Sequence, residues 1–298
     1  MIRSYVLLSI LVMSRLADCY NCPESCDCFE NFATVIVDCW QRNLTTLPRI
    51  AAENDKNVLV RMDVRDNMIT ELSPIADGPA RLHYLALSGN KIAQCQPGWA
   101  DAAADSLVEL DLSNNRLTGG EITKAVSGLA ALRQLDVSNN DITSFDFSLS
   151  LPSEVEILIA NNVSVPTIPA GAFLSTPDLK SLIMVGSDVS YVEADAFANV
   201  SDTINQLDLS QNRLDAASLP AIRNLTALSD LNLANNNISL TADVKLFLDA
   251  SALQHLDLHG NPLTYFSGSN LIDSINLEQL QLDGTNLTQL VFPVGIPI

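Results

Sequence analysis

A chain of 298 residues with 47% hydrophobic but only 5% aromatic side chains can build a large core from aliphatic residues, and this composition excludes intrinsic disorder. Its formal net charge of −19 repels phosphate. Nucleic acid and anionic membrane surfaces are therefore not expected as partners, whereas a basic protein is admissible.

The first residues carry Arg3, an apolar run from Tyr5 to Met13, and a polar stretch ending Ala17-Asp18-Cys19. This is the layout of a secretory signal peptide, too short to cross a bilayer, with cleavage expected after Cys19. No later segment approaches the roughly 18 continuous apolar residues of a membrane span, so we expect a secreted, extracellular protein without direct membrane insertion. The expected division is 1–19 signal, 20–48 cysteine-rich cap, 49–287 about ten repeats and 288–298 tail.

Cys22, Cys26, Cys28 and Cys39 follow the signal. Four clustered cysteines in a secreted chain read as two disulfides rather than a zinc site, and sequence alone leaves three pairings open. Cys95 then lacks a partner. It is expected as a buried thiol, with a bridge to another chain as the alternative.

From residue 59 the chain repeats itself. The units run "LVRMDVRDNMI" (59–69), "LHYLALSGNKI" (82–92), "LVELDLSNNRL" (107–117) and "LRQLDVSNNDI" (132–142). Later come "LKSLIMVGSDV" (179–189), "INQLDLSQNRL" (204–214), "LSDLNLANNNI" (228–238), "LQHLDLHGNPL" (253–263) and "LEQLQLDGTNL" (277–287). Adjacent units are offset by 23 to 25 residues. Positions 1, 4, 6 and 11 are apolar and point into a shared core, while 3, 5 and 7 alternate outward along a strand. Position 9 holds Asn67, Asn90, Asn115, Asn140, Asn212, Asn236 and Asn261, whose amides can pair with backbone groups freed by a turn. Ser187 and Thr285 replace it with a shorter donor.

This pattern resembles the leucine-rich repeat family over nearly the whole chain after residue 20. The resemblance implies an α/β repeat solenoid: a curved horseshoe with a parallel β-sheet on the concave face and mostly loops and short helical turns on the convex face. The cysteine spacing is similar to the N-terminal cap of extracellular members, which implies Cys22 paired with Cys28 and Cys26 with Cys39. The segments "EITKAVSGLAAL" and "AASLPAIRNLTAL" can hold helical turns, and Phe173 and Phe197 fall at equivalent convex points as a buried spine.

The stretch "LPSEVEILIANNVSVPTI" (151–168) breaks the pattern and admits two registers. One places Asn162 in the asparagine ladder, with Ile157 and Ile159 inside and Leu158 outside. The other slides by one residue, puts Val155, Leu158 and Ala160 inside and gives position 9 to Val163, exchanging the two faces completely. We expect the first, because it keeps the polar turn satisfied. It makes Leu158, with Ile183 and Val185 of the next unit, an apolar patch flanked by Glu156, Lys180, Asp136 and Asp208. This patch is the candidate ligand-binding surface on the concave face.

The outward position 5 otherwise reads Asp63, Ala86, Asp111, Asp136, Asp208, Asn232, Asp257 and Gln281. Paired carboxylates could serve acid–base chemistry, but an open face does not exclude water, so no enzyme is expected. His255, Asp257, His259, Glu278 and Asp283 raise a metal site. Residues two apart on a strand lie about 6.7 Å apart, too far for both imidazoles to share one ion, so no metal or cofactor is expected. Of six glycosylation triplets, Asn43, Asn199, Asn224, Asn237 and Asn286 are expected on the surface and Asn162 is expected bare.

The C-terminal "LVFPVGIPI" contains two prolines and is shorter than a lipid-anchor tail. No cysteine cap matches the one at the start. Either another chain covers that edge, giving an oligomer there or through Cys95, or the sequence is part of a longer protein, which we favour. The expected function is a secreted recognition module binding a protein ligand on its concave face, in immune recognition or cell-surface signalling. Alternatives are a matrix or adhesion protein, an enzyme inhibitor, or a truncated receptor ectodomain.

Overall fold

The computed structural model describes residues 22–31, 33–49, 58–75, 81–240, 246–247 and 250–291. The expected signal peptide and most of the tail lie outside them. Among the described residues, one twelve-stranded sheet runs in chain order. Every neighbouring pair is parallel except the first, an antiparallel hairpin of Asp27–Asn31 with Thr34–Asp38. Most later strands are three residues long, such as Glu109–Asp111 and Gln134–Asp136, because each unit makes one short rung and then turns away.

Burial follows the expected period. Leu107, Leu110, Leu112 and Leu117 are all at most 2% exposed, and equivalent residues of the neighbouring units continue the same column. The turn is held by position 9. The Nδ2 of Asn140 donates to the carbonyls of Leu112 and Val137 at 3.0 Å each, while its Oδ1 accepts from the N–H of Leu117 at 2.9 Å. One amide thus ties its own turn to the previous unit. Ser187 still reaches Ala160 O at 2.7 Å, but Thr285 reaches only Leu282 O of its own unit.

The cap closes the first edge of the sheet. Disulfides Cys22–Cys28 and Cys26–Cys39 clasp the hairpin, whose second strand pairs with Leu59–Asp63, so that edge is not left bare. On the convex side, Thr118 caps the helix Gly119–Val126, and a 3₁₀ turn, Ala216–Ser218, runs into Leu219–Ile222. Phe145, Phe173 and Phe197 form the buried spine, with ring centroids 5.5 and 5.3 Å apart. Cys95 lies buried in the convex strand Gln94–Cys95 without a disulfide partner.

Residues 151–168 adopt the second register, and the first expectation is corrected. The strand Ile157–Ile159 sets Leu158 opposite Leu135 and Leu182, and Leu158 is fully buried together with Val155 and Ala160. Ile157 and Ile159 face outward instead. The physical reason is the apolar column: the first register would turn Glu154 inward at position 1 and Ser164 inward at position 11, whereas the second buries Val155 and Val165 there and leaves Glu154 and Ser164 exposed. Both registers set an asparagine at position 8. There the chain takes a positive φ at Asp66, Gly89, Asn114, Asn139, Gly186, Gln211, Asn235, Gly260 and Gly284. Asparagine tolerates this left-handed conformation, and Asn162 takes it at φ 52°, with Val163 at the buried position 9.

Candidate functional site

The concave face can be read along three outward rows. Its position-5 row runs Asp111, Asp136, Ile159, Ile183, Asp208, Asn232 and Asp257 in direct register. The position-3 row contributes Gln134, Ile157 and Ser181, and the position-7 row Ser138, Asn161 and Val185. The corrected register therefore removes Leu158 from the candidate surface and puts Ile157 and Ile159 beside Ile183 and Val185. Four β-branched side chains, all part-exposed, belong to two adjacent units. Asp136 and Asp208 bracket them, three strand spacings or on the order of 14 Å apart.

The ordinary position-5 carboxylate has a structural task. Asp111, Asp136, Asp208 and Asp257 each accept, through Oδ1, the backbone N–H two residues on at 2.9 Å; Asn232 does the same for Ala234 at 3.0 Å. Ile159 and Ile183 cannot accept, and other side chains take over. The N–H of Asn161 donates to Ser138 Oγ at 3.0 Å, and the N–H of Val185 donates to Asn161 Oδ1 at 2.7 Å. Both acceptors come from the preceding unit.

Beside the patch, Glu156 pairs with Arg133 and, at 2.8 Å, with Lys180. The Lys180 ammonium, followed by the Arg133 guanidinium, holds the Glu156 carboxyl below the usual range despite some opposing desolvation. Burial pushes the Asp136 carboxyl up, against the hydrogen bonds from Ser138. On the carboxyl-terminal side, Asp208, Asp230, Asn232, His255 and Asp257 line an open polar groove of about 250 Å³. His255 Nδ1 lies 2.7 Å from Asp230 and His259 Nδ1 lies 2.8 Å from Asp257, so each imidazole engages a different carboxylate.

At the amino-terminal end, sequence reasoning missed a separate cluster. Arg61 lies 4.1 Å over the Tyr84 ring and 3.6 Å from Glu109, Arg65 pairs with Asp63, and the half-exposed Trp40 donates to Asp66 at 2.9 Å. Aromatic and guanidinium residues at outward positions of neighbouring units were the available signal. The asparagines of all six glycosylation triplets are exposed, including Asn162, whose expected inward placement is thereby corrected.

A family model described as leucine rich repeat matches residues 80–142. The chain is 26% identical to keratocan of Danio rerio over 77% of its length, and 27% identical to lumican of Coturnix japonica over 79%. It spans 60% of the length of each of these relatives. Among solved structures, a chain of the octameric complex of Latrophilin 3, Unc5D and FLRT2 aligns over 92% of this chain and 80% of its own, with TM-score 0.67 and 19% identity. TLR13 in its complex with ssRNA13 aligns over 78% of this chain and 35% of its own, with TM-score 0.66 and 22% identity. At these identities the likeness concerns the fold.

Proposed function

We propose that this chain, a leucine-rich repeat protein with a cysteine-rich N-terminal cap, is a secreted, non-enzymatic module that binds a protein ligand on its concave face. The observation that carries this reading is the replacement of the carboxylate row by Ile159 and Ile183 in two adjacent units, with Ile157 and Val185 beside them in the flanking rows. An apolar centre with a polar rim is the common build of an interaction site, and burying each such side chain contributes roughly 1.5–3 kcal/mol. Glu156 and Lys180 form one side of the rim, and Asp136 and Asp208 bracket the centre. Their charge favours a basic ligand. Against catalysis stands the use of the position-5 carboxylates to hold the strand backbone on an open face.

The test is a screen against an array of extracellular proteins with the native chain, Ile159→Asp/Ile183→Asp and a Cys95→Ala control. Ligands retained by the control and lost by the double variant support the reading; retention by the double variant overturns it. The likeness to keratocan and lumican favours a matrix or adhesion role over an inhibitor or receptor fragment. A matrix contact through the acidic rim should weaken steeply with salt, whereas an apolar contact should not. TLR13 shows that this fold can be solved with RNA, so exclusion of nucleic acid rests on charge, and a salt titration with single-stranded RNA should give no binding at physiological ionic strength.

A further inference from the structure

Asn162 begins an Asn-Val-Ser triplet in which the asparagine and Ser164 are exposed and Val163 is buried. It stands at the rim where the concave strand ends. Its side-chain amide makes no hydrogen bond among the described residues, unlike Asn114 and Asn235 at the same position in other units. The amide leans onto the next unit: a Cβ built on Gly186 would meet Asn162 Oδ1 at 2.9 Å. Gly186 directly follows Val185, one of the four patch residues.

We infer that Asn162 carries an N-linked glycan that screens the Val185 end of the apolar patch, leaving the Glu156–Lys180 side as the entrance for a protein ligand. The inference rests on the secretory reading above. Asn237 and Asn286 lie at position 10 of their units, on the rim that Asn162 occupies. The segments leading into the two patch strands, residues 145–154 and 169–178, contain no glycosylation triplet, so the opposite rim is bare at the patch. Sugars on one rim alone would fix the direction of approach without touching the contact residues.

The test uses the full chain expressed in a secreting animal cell line and glycopeptide mass spectrometry. Occupancy at Asn162 is the expected result. An unmodified Asn162 beside occupied Asn237 and Asn286 overturns the inference and leaves the secretory reading intact, whereas six bare asparagines overturn that reading. Screening is read from single cysteines at Val185 and Ile157, labelled with a bulky maleimide–polyethylene glycol; the buried Cys95 provides the background. Val185→Cys should label several-fold faster in an Asn162→Gln background, and Ile157→Cys should not change. Gln41 and Gln211 already adopt φ 54° and 57°, so glutamine fits position 162. Ser164→Ala removes the triplet without altering residue 162 and should release Val185 equally; equal labelling with and without the glycan overturns the screening.

Discussion

Asn161 Oδ1 accepts the backbone N–H of Val185 at 2.7 Å, across the boundary between two repeats. In the ordinary unit that N–H is held by the carboxylate at position 5 of its own strand, as Asp208 holds Ser210. Ile183 cannot do this, and Asn161 does it in its place. Two adjacent units have thus lost the carboxylate and kept the hydrogen bond. A decayed repeat would be expected to leave the donor without a partner, so the retained hydrogen bond is in keeping with the binding surface proposed above.

Asn161→Ala should therefore destabilise the protein by about 1–2 kcal/mol, the cost of a part-buried N–H left unpaired. Asn161→Asp retains an acceptor and should recover most of the loss. Urea unfolding of the three proteins measures both effects. Equal stability of the alanine variant and the native chain would show that Val185 finds another partner.

Ile159→Asp/Ile183→Asp restores the ordinary sequence at position 5, where aspartate accepts from position 7 in five other units. The double variant should fold, with a melting temperature within about 3 °C of native, and lose ligand binding. Circular dichroism and thermal melts check the first part. A collapsed melting temperature would mean that the isoleucines serve the fold rather than a partner.

Much of this arrangement was legible in the sequence because the repeat period fixes which residues face inward. Leu110, Leu135, Leu207 and Leu231 could each be placed on the core from spacing alone, and Asn140 in its ladder. Residues 151–168 were misread for a definite reason. The expectation weighs the loss of one asparagine at position 9 above the apolar positions 1 and 11, which it fills with Glu154 and Ser164. Val163 is simply buried at position 9, and Ser187 of the next unit donates to Ala160 O at 2.7 Å in place of the missing amide. Contacts between units, such as Arg61 on Tyr84 or Asn161 on Val185, depend on side-chain direction across a strand pair and are not contained in any one repeat.

Asn140 ties its own turn to the previous unit, and Asn140→Ala should cost about 2–3 kcal/mol by stranding the buried N–H of Leu117 and the carbonyl of Val137. Thr285→Ala should cost less, because Thr285 bonds only within its own unit. Unfolding free energies in urea rank the two. The reverse order would move the weight of the ladder to its carboxyl-terminal end.

Asp136 supplies a pH dependence of known sign. Burial raises its carboxyl in the fold, so its charged form opposes folding and stability from this group rises as pH falls from neutrality through that raised value. Asp136→Asn removes the charge and keeps an Oδ1 acceptor, as Asn232 does naturally for Ala234. The variant should be slightly more stable than native at pH 7, with the difference fading in acid. A gain that persists when Asp136 is protonated would assign it to something other than desolvation.

Cys95 should be silent until its convex strand opens. Its thiol is pushed up to about 12, first by burial and then by the Glu121 carboxylate, whose Oε2 also accepts the Cys95 N–H at 2.7 Å. Only a thiolate attacks a disulfide reagent, and at pH 8 almost none is present at such a site. The native chain should therefore resist Ellman's reagent at pH 8, and Cys95 should react once guanidinium unfolds the protein. By the same argument it should not cross-link chains: non-reducing electrophoresis should show monomer. A disulfide-linked dimer that disappears in Cys95→Ala would require Gln94–Cys95 to peel from its pairing with Glu71–Leu72, and would show that this strand opens in the folded protein.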